Sequence, residues 1–294
     1  MIIDFHTHVF PEMMANKTIE ALEEQAGVKA AEDGTIKGLL NGMEKAGIDI
    51  SVVMPVVTRP QQFDTVNTFA RQINDTYQGK VISFGGIHPD SEDYRKKLND
   101  IKALGIAGIK IHPDYQKVMI DDIRYMRIIE YACEIGLLVL THAGIDIGYP
   151  QEVYCPPDKM RKVLDCVQPK NMILGHYGGW MQWDEVYEYL AGEEVYLDTA
   201  FLFGVRKKTV STPMGTKKQE EKADAEVSNY IEEESFLKIL NKHGADKVLF
   251  ATDAPWSDAS AGIRWINRLP VEQKIKEQIL GGNAEKLLKD YLKK

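Results

Sequence analysis

The clearest pattern along the chain is a repeated unit in which an amphipathic stretch ends in a glycine and a short aliphatic run follows. It occurs as EKAG-IDISVVMPV, KALG-IAGIKIHP, CEIG-LLVLTHA and NKHG-ADKVLFATD. The glycine suits the left-handed position that closes a helix, and a run that is apolar on both faces is typical of a buried parallel strand. Helices that alternate with such strands predict a parallel α/β fold.

Eight such apolar runs can be counted, separated by stretches that mostly hold one helix each. Eight units fit a closed (β/α)₈ TIM-like barrel better than a doubly wound sheet. The first run also lacks a following GxGxxG turn, which argues against a dinucleotide-binding half. We therefore predict one barrel domain over residues 1–294. Its strands are predicted to start near Ile2, Ile50, Val81, Ile106, Leu137, Met172, Val195 and Val248.

One stretch, residues 206–234, interrupts the repeat after the seventh predicted strand. It is polar and charged, without clear periodicity at its start, and we interpret it as an insertion. Two interpretations stay open: a solvated surface segment, or a lid over the catalytic face, onto which the βα loops of a barrel open. In the second interpretation residues 211–219 are the part that moves.

Composition and charge narrow the class of protein. Of the 294 residues, 44% are apolar and 27% charged, which allows one large core. The net charge of −8 and the scattered lysines and arginines predict no nucleic-acid partner. No apolar run approaches the roughly 18 residues of a membrane span, and the first residues read as a strand, not as a secretory signal. Because the three cysteines lack CxxC spacing, we expect a soluble protein in the reducing cytoplasm.

Histidines and one aspartate end several of the predicted strands. His6 and His8 are two apart, so they share one face at the end of the first strand. An isolated HxH pair is weak support for a metal site. However, His142, His176 and Asp253 end the fifth, sixth and eighth strands, and these strand ends meet at the rim where barrels hold their catalytic groups. Together the five side chains predict a metal centre at this rim.

The phrases that carry these residues resemble those of the amidohydrolase superfamily, most closely its amidohydrolase-2 branch. The matching phrases span nearly the whole chain. They are DFHTH, GIKIHP, THAG, LGHYGG, LFATDAPW and GGNAEKLL. The resemblance implies a distorted barrel of the metal-dependent hydrolase type with one divalent metal, and less often two. Because many relatives form dimers, it also makes a homodimer one expected assembly.

Carried over residue by residue, the resemblance implies that His6, His8, His142 and Asp253 bind the metal. His176 would lie beside it as a substrate-contacting or proton-handling group. Three imidazoles and one carboxylate suit Zn²⁺, with Mn²⁺ or Fe²⁺ as alternatives.

Lys110 leaves several interpretations open. It shares a strand face with His112, and binuclear members of the superfamily carboxylate a lysine on the fourth strand to bridge two metals. The alternatives are a lysine that binds a substrate carboxylate, or one paired with an inner carboxylate such as Asp4. We favour these alternatives, and with them a single metal. His112 itself is interpreted as organising a loop, and His243, at a helix end, as a cation near the helix dipole.

Several residues follow the predicted strands at the presumed mouth of the barrel. Aromatic side chains there would wall a pocket for a small organic molecule, and Arg59 or Lys110 could anchor a substrate carboxylate. The predicted pocket residues are Arg59, Tyr115, Tyr177, Trp180 and Trp256.

The leading functional hypothesis is hydrolysis of a C–O or C–N bond in a small ester, lactone or amide. In this hypothesis Asp253 handles the proton of a metal-activated water, and His176 stabilises the carbonyl oxygen. The alternative is decarboxylation or hydration, because the same branch includes lyases similar to aminocarboxymuconate-semialdehyde decarboxylase. A barrel that holds a metal without catalysis is the third hypothesis.

Overall fold

The computed structural model describes residues 1–207 and 227–292. Every one of the eight predicted strands is present, the third in two pieces separated by Phe84. In chain order the strands are β1 (Ile3–Thr7), β2 (Val28–Lys29), β3 (Ile50–Val53), β4 (Val81–Ser83), β5 (Gly85–Gly86), β6 (Gly108–Ile111), β7 (Leu138–Thr141), β8 (Met172–Leu174), β9 (Tyr196–Asp198), β10 (Val205–Lys207), β11 (Val227–Ser228) and β12 (Val248–Leu249).

The eight predicted strands lie side by side in chain order and all pair in parallel; they are β1, β3, β4 with its continuation β5, β6, β7, β8, β9 and β12. One sheet has the order β1-β3-β4, and the other the order β5-β6-β7-β8-β9-β12. The ladder is not continuous between β12 and β1, but the backbone amide of Phe5 donates to Phe250 O at 2.9 Å and that of Asp253 to His6 O at 2.8 Å. The predicted (β/α)₈ barrel is confirmed, with this irregular seam.

Helices follow each main strand, as the repeat predicts. They are α1 (Glu12–Ala26), α2 (Ile36–Ala46), α3 (Phe63–Tyr77), α4 (Tyr94–Ala103), α5 (Pro113–Gln116), α6 (Ile123–Glu134), α7 (Pro157–Val167), α8 (Trp183–Tyr189), α9 (Glu233–His243), α10 (Ala259–Arg268), α11 (Gln273–Glu277) and α12 (Asn283–Leu288). The glycines of the four repeated phrases all adopt positive φ: 73° at Gly47, 74° at Gly105, 82° at Gly136 and 100° at Gly244. All four lie at helix ends, as predicted, but Gly244, with ψ of 128°, is outside the left-handed helical conformation that the pattern predicts.

The floor of the barrel is apolar. Ile3 and Phe5 of β1 join Leu138 and Leu140 of β7 and Leu249 of β12 in one buried cluster. The helix α12 closes this end, because its Ala284 and Leu288 belong to the same cluster. Polar interior side chains are thereby displaced to the opposite, carboxyl end of the strands, where the predicted site residues lie.

The flanks of the predicted insertion form a small antiparallel sheet. β10 pairs with β11 and also with β2, in the order β11-β10-β2. The part interpreted as a moving lid, residues 211–219, lies outside the described residues. Within the described ranges, no helix is long and apolar enough to cross a membrane.

His243 differs from its predicted role. Its side chain is buried, with Nδ1 accepting from Gly192 N at 3.2 Å and Nε2 donating to Val195 O at 3.0 Å. Burial lowers the pKa of His243 to about 4, so the ring is neutral near pH 7. The interpretation as a cation at a helix end is wrong, because the ring is a hydrogen-bonded part of the core.

Candidate metal centre

Three of the predicted ligands converge at the end of β1. His8 Nε2 lies 3.1 Å and His6 Nε2 3.6 Å from Asp253 Oδ1. Each of these three residues offers one ligand atom, and the three atoms lie within 4.8 Å of one another. This is the spacing that a single bound cation requires of its donors.

The backbone around these residues is irregular, and the irregularity aims the side chains. The register of β1 shifts between Asp4 and Thr7, so that Phe5 contributes to the barrel floor while His6 faces the site. Asp253 has a left-handed backbone with φ of 63°. Its amide donates to His6 O at 2.8 Å, which fixes the two ligand segments to each other.

The tautomer of His6 is set by two partners. Its Nδ1 lies 2.8 Å from Asp198 Oδ2, and a carboxylate accepts, so Nδ1 carries the proton. Its Nε2 lies 2.9 Å from Lys110 Nζ, and an ammonium only donates, so Nε2 presents a lone pair. A metal ion would compete with Lys110 for this lone pair. Asp4 is engaged elsewhere, because its carboxylate accepts from Thr252 N at 2.9 Å and Thr252 Oγ1 at 2.6 Å.

We expect Asp198→Asn to weaken metal binding by about 10- to 100-fold. Asp198 Oδ1 accepts from His176 N at 2.9 Å and Ala200 N at 3.0 Å, so the oxygen of an asparagine would stay there. Its NH₂ group would then face His6 Nδ1 and force the proton onto Nε2, the atom that should bind the metal. Calorimetric titration with Zn²⁺ measures the effect. Exposed Asp75→Asn is the control, and equal affinities in the two variants would contradict the prediction.

His142 and His176 form a second part of the site. His176 Nδ1 lies 3.0 Å from Ala200 O, which only accepts, so Nδ1 carries a proton. His176 Nε2 is 2.9 Å from His142 Nδ1, and the ring centroids of His176 and His6 are 5.4 Å apart. His176 therefore stands between His142 and the first three residues, with Nε2 as the nitrogen that can exchange a proton.

His142, the fourth predicted ligand, groups more closely with two residues that were not predicted to bind metal. His112, His142 and Asp146 also offer one ligand atom each, and these three atoms lie within 4.8 Å of one another. The His112 ring stacks between Tyr115 and His142, at centroid distances of 3.9 and 4.3 Å. His112 also accepts from Tyr115 N, so it organises its loop as predicted and in addition forms a wall of the site.

Behind His142 lies a buried carboxylate. Asp114 Oδ2 is 3.8 Å from His142 Nε2, and within the described residues neither atom has a hydrogen-bond partner. Burial raises the pKa of Asp114 to about 7. A buried acceptor without a partner is costly, so this corner of the site is suited to a proton or a cation.

Electrostatics keep Asp253 and His6 in metal-binding form. Burial alone would raise the pKa of Asp253, but the hydrogen bond from His8 and the nearby rings of His6 and His176 outweigh it, and the pKa lies well below its usual range. Burial is the largest cause that lowers the pKa of His6, and the nearby charge of Lys110 is the second. Burial likewise lowers the pKa of Lys110 to about 8. The centre thus offers an ionised carboxylate at Asp253 and a neutral imidazole at His6, the forms in which these groups bind divalent metals.

The site opens into a cavity of about 810 Å³. Four of the five predicted pocket residues line it, namely Arg59, Tyr115, Trp180 and Trp256. Tyr177 does not: it is fully buried, stacks on Phe236 at 4.6 Å and donates its hydroxyl to Phe236 O at 3.1 Å. Its prediction as a pocket residue is wrong, because the left-handed turn at His176 and Tyr177 directs it into the core. Lys110 is fully buried and is not among the lining residues.

Sequence reasoning missed the carboxylates that support the imidazoles. Asp198 ends β9 in VYLDTA, and a strand-end aspartate was the available signal. Asp114 follows the GIKIHP phrase and Asp146 follows THAG. Neither had a signal of its own, because only the folded loops bring them to His142 and His112.

The chain is similar to known proteins in both its sequence family and its fold. A family model described as Amidohydrolase matches residues 3–289. No curated protein matches the chain. Among solved structures, an uncharacterized TIM-barrel protein from Bordetella bronchiseptica is 20% identical with a TM-score of 0.74, and 99% of each chain is covered.

Two further solved structures carry named activities. The 5-carboxyvanillate decarboxylase LigW from Sphingomonas paucimobilis is 13% identical with a TM-score of 0.66, and 98% of each chain is covered. A dihydroxybenzoic acid decarboxylase from Polaromonas sp. JS666, with bound manganese and the inhibitor 2-nitroresorcinol, is 14% identical with a TM-score of 0.66. The match covers 98% of this chain and 96% of that one. At these identities the likeness establishes a shared barrel fold.

Proposed function

Because the chain belongs to the amidohydrolase family, we propose that it is a metal-dependent hydrolase that cleaves a C–O or C–N bond of a small ester, lactone or amide. The observation that carries the proposal is the convergence of His6, His8 and Asp253 within 4.8 Å at the end of an open cavity. An ionised carboxylate beside imidazole rings is suited to both metal binding and proton transfer.

The residues fit a divalent ion. His6, His8 and Asp253 would hold it, and His142 is the fourth ligand that the family resemblance implies; in this structure its Nε2 faces Asp114 Oδ2 at 3.8 Å and would have to turn toward the ion. The donor set favours Zn²⁺, with Mn²⁺ or Fe²⁺ as alternatives. When bound, such an ion supplies a Lewis acid and makes a water molecule acidic enough to ionise near neutral pH.

Asp253 is the proposed general base. Its pKa lies well below its usual range, so at neutral pH it is ionised and has a carboxylate oxygen that can accept a proton from the attacking water. Its Oδ1 lies 3.1 Å from His8 Nε2, which orients it toward the ligand group. The same carboxyl group can then pass the proton to the leaving oxygen or nitrogen. The proton taken from water thus ends on the released alcohol or amine.

His176 is the proposed electrophilic group. Its Nδ1 is held by Ala200 O at 3.0 Å, so ring rotation is restricted and Nε2 stays directed into the site. A hydrogen bond from Nε2 to the substrate carbonyl oxygen, made in place of its 2.9 Å contact with His142 Nδ1, would stabilise the charge that develops there. Arg59, exposed at the cavity rim, is the proposed anchor for a substrate carboxylate.

Decarboxylation is the second candidate, supported by the named decarboxylases that share the fold. Loss of CO₂ leaves a carbanion, which needs a proton donor. Hydrolysis is placed first because Asp253 and His176 together match its two roles, a proton carrier and a hydrogen-bond donor to a carbonyl oxygen.

The two candidates are separated by their products. Metal-loaded protein is assayed on a panel of nitrophenyl esters, lactones and anilides, and in parallel on hydroxybenzoic and muconic acids with detection of CO₂. We expect ester or lactone turnover that is lost on chelation and restored by Zn²⁺ or Mn²⁺. CO₂ release without hydrolysis would establish the lyase, and the absence of any metal-dependent turnover would support a non-catalytic barrel.

A further inference from the structure

We propose that the substrate is elongated and largely apolar, with its reactive group at the metal centre and a hydrocarbon portion lying along α1. This inference rests on the proposed function and adds the class of substrate to it. Three features of the cavity carry it: its size, the composition of its walls and the position of its few charges.

The cavity is much larger than a one-ring substrate needs. Its volume of about 810 Å³ lies near the upper end of the roughly 300–1,000 Å³ found for ligand pockets. A single aromatic ring at the metal end would leave most of this space filled with solvent against apolar walls.

One wall is a stripe along α1. Met14, Thr18 and Leu22 line the cavity at intervals of four residues, followed by Ala26. Side chains with this spacing lie on one helix face, and twelve residues at 1.5 Å per residue span about 18 Å. The wall begins close to the metal centre, because α1 follows His8 after only three residues. A bound molecule can therefore extend from the centre along the helix.

The facing walls are also apolar. Val66 and Phe69 of α3 line the cavity, as do Ile145 and Ile147 in the segment after β7. This segment is joined to α1 by a hydrogen bond of 3.2 Å from Gln25 Nε2 to Gly148 O. The hydrogen bond connects two of the walls, so the channel between them is largely preformed.

Charge is confined to the metal end and the rim. Of the described residues that line the cavity, Asp146 and Asp253 are acidic, and both lie within 4 Å of site histidines. The only lysine or arginine among them is Arg59. A nucleotide, a sugar phosphate or a charged peptide would therefore bring several charges into a cavity whose described lining offers one basic side chain to pair with them, which is unfavourable.

Straight-chain alkanehydroxamates test the inference, because their metal-binding head is constant while the tail grows. Affinity for the Zn²⁺-loaded protein is measured by calorimetry from acetohydroxamate to octanohydroxamate. We expect a two- to fourfold gain for each methylene, and at least about 60-fold over the six that are added. An affinity that does not change with length overturns the inference.

Neighbouring methionines on α1 supply a matched pair of variants. Met14 lines the cavity, whereas Met13, the more exposed of the two, does not. We expect Met14→Glu to reduce the affinity ratio of octano- to acetohydroxamate by about tenfold, and Met13→Glu to leave this ratio unchanged. Because both positions are exposed, neither change should prevent folding. Equal ratios in the two variants would count against the α1 wall.

The outcome is separable from that of the proposed function. A length dependence in a protein without ester, lactone or amide turnover would leave the apolar channel standing and remove the hydrolase. Turnover of esters with no length dependence of either binding or kcat/KM would keep the hydrolase and remove the channel as a substrate site.

Discussion

Asp253→Asn is expected to lower kcat by about 100- to 10,000-fold in a protein that still folds. Asparagine tolerates the left-handed backbone of φ 63° that Asp253 adopts, so the local fold should persist. The amide cannot take a proton from water, and the ionised group that the neighbouring histidines maintain is lost. Some metal should still bind through His6, His8 and His142.

The experiment measures kcat on the best substrate of the panel at saturating metal, together with metal content by mass spectrometry. Asp184→Asn, at an exposed position in α8, is the control and should stay within about twofold of the parent. Turnover close to that of the parent in Asp253→Asn would remove this residue from the mechanism.

His176→Asn should reduce kcat by about 100- to 1,000-fold with little change in KM or metal content. The ring would hydrogen-bond the substrate carbonyl oxygen through Nε2 in the transition state, whereas the proposed metal donors lie on other residues. Asparagine again suits the backbone, where φ is 56°. His88→Asn is the matched control, because His88 is a buried histidine that does not line the cavity. A variant that lost metal instead of rate would identify His176 as a ligand.

The barrel could be predicted because its signals are local. Each glycine that ends a helix and each apolar run that follows it depends on a few neighbouring residues, and all eight predicted strands are present. Strand ends also predicted where His6, His8 and Asp253 would meet, because parallel strands in a barrel bring their carboxyl ends to one rim.

The remaining features depend on geometry that short patterns do not contain. The pairing of Asp198 with His6 spans 192 residues and depends on which face each strand end presents. Tyr177 follows a strand-end histidine, as a pocket residue would, but two consecutive left-handed residues turn it inward. The α1 wall reads as an ordinary amphipathic stripe, and only the packing of the loops shows that part of this stripe faces a cavity.

The left-handed backbones of His176 and Asp253 affect how this protein can evolve. A residue other than glycine in this conformation costs on the order of 1 kcal/mol, less for aspartate than for most. Glycine at either position would relax the backbone and remove the chemistry. Relief of backbone strain alone would therefore favour loss of these two side chains, whereas selection for turnover retains them. Libraries that aim to stabilise this barrel should hold positions 176 and 253 fixed.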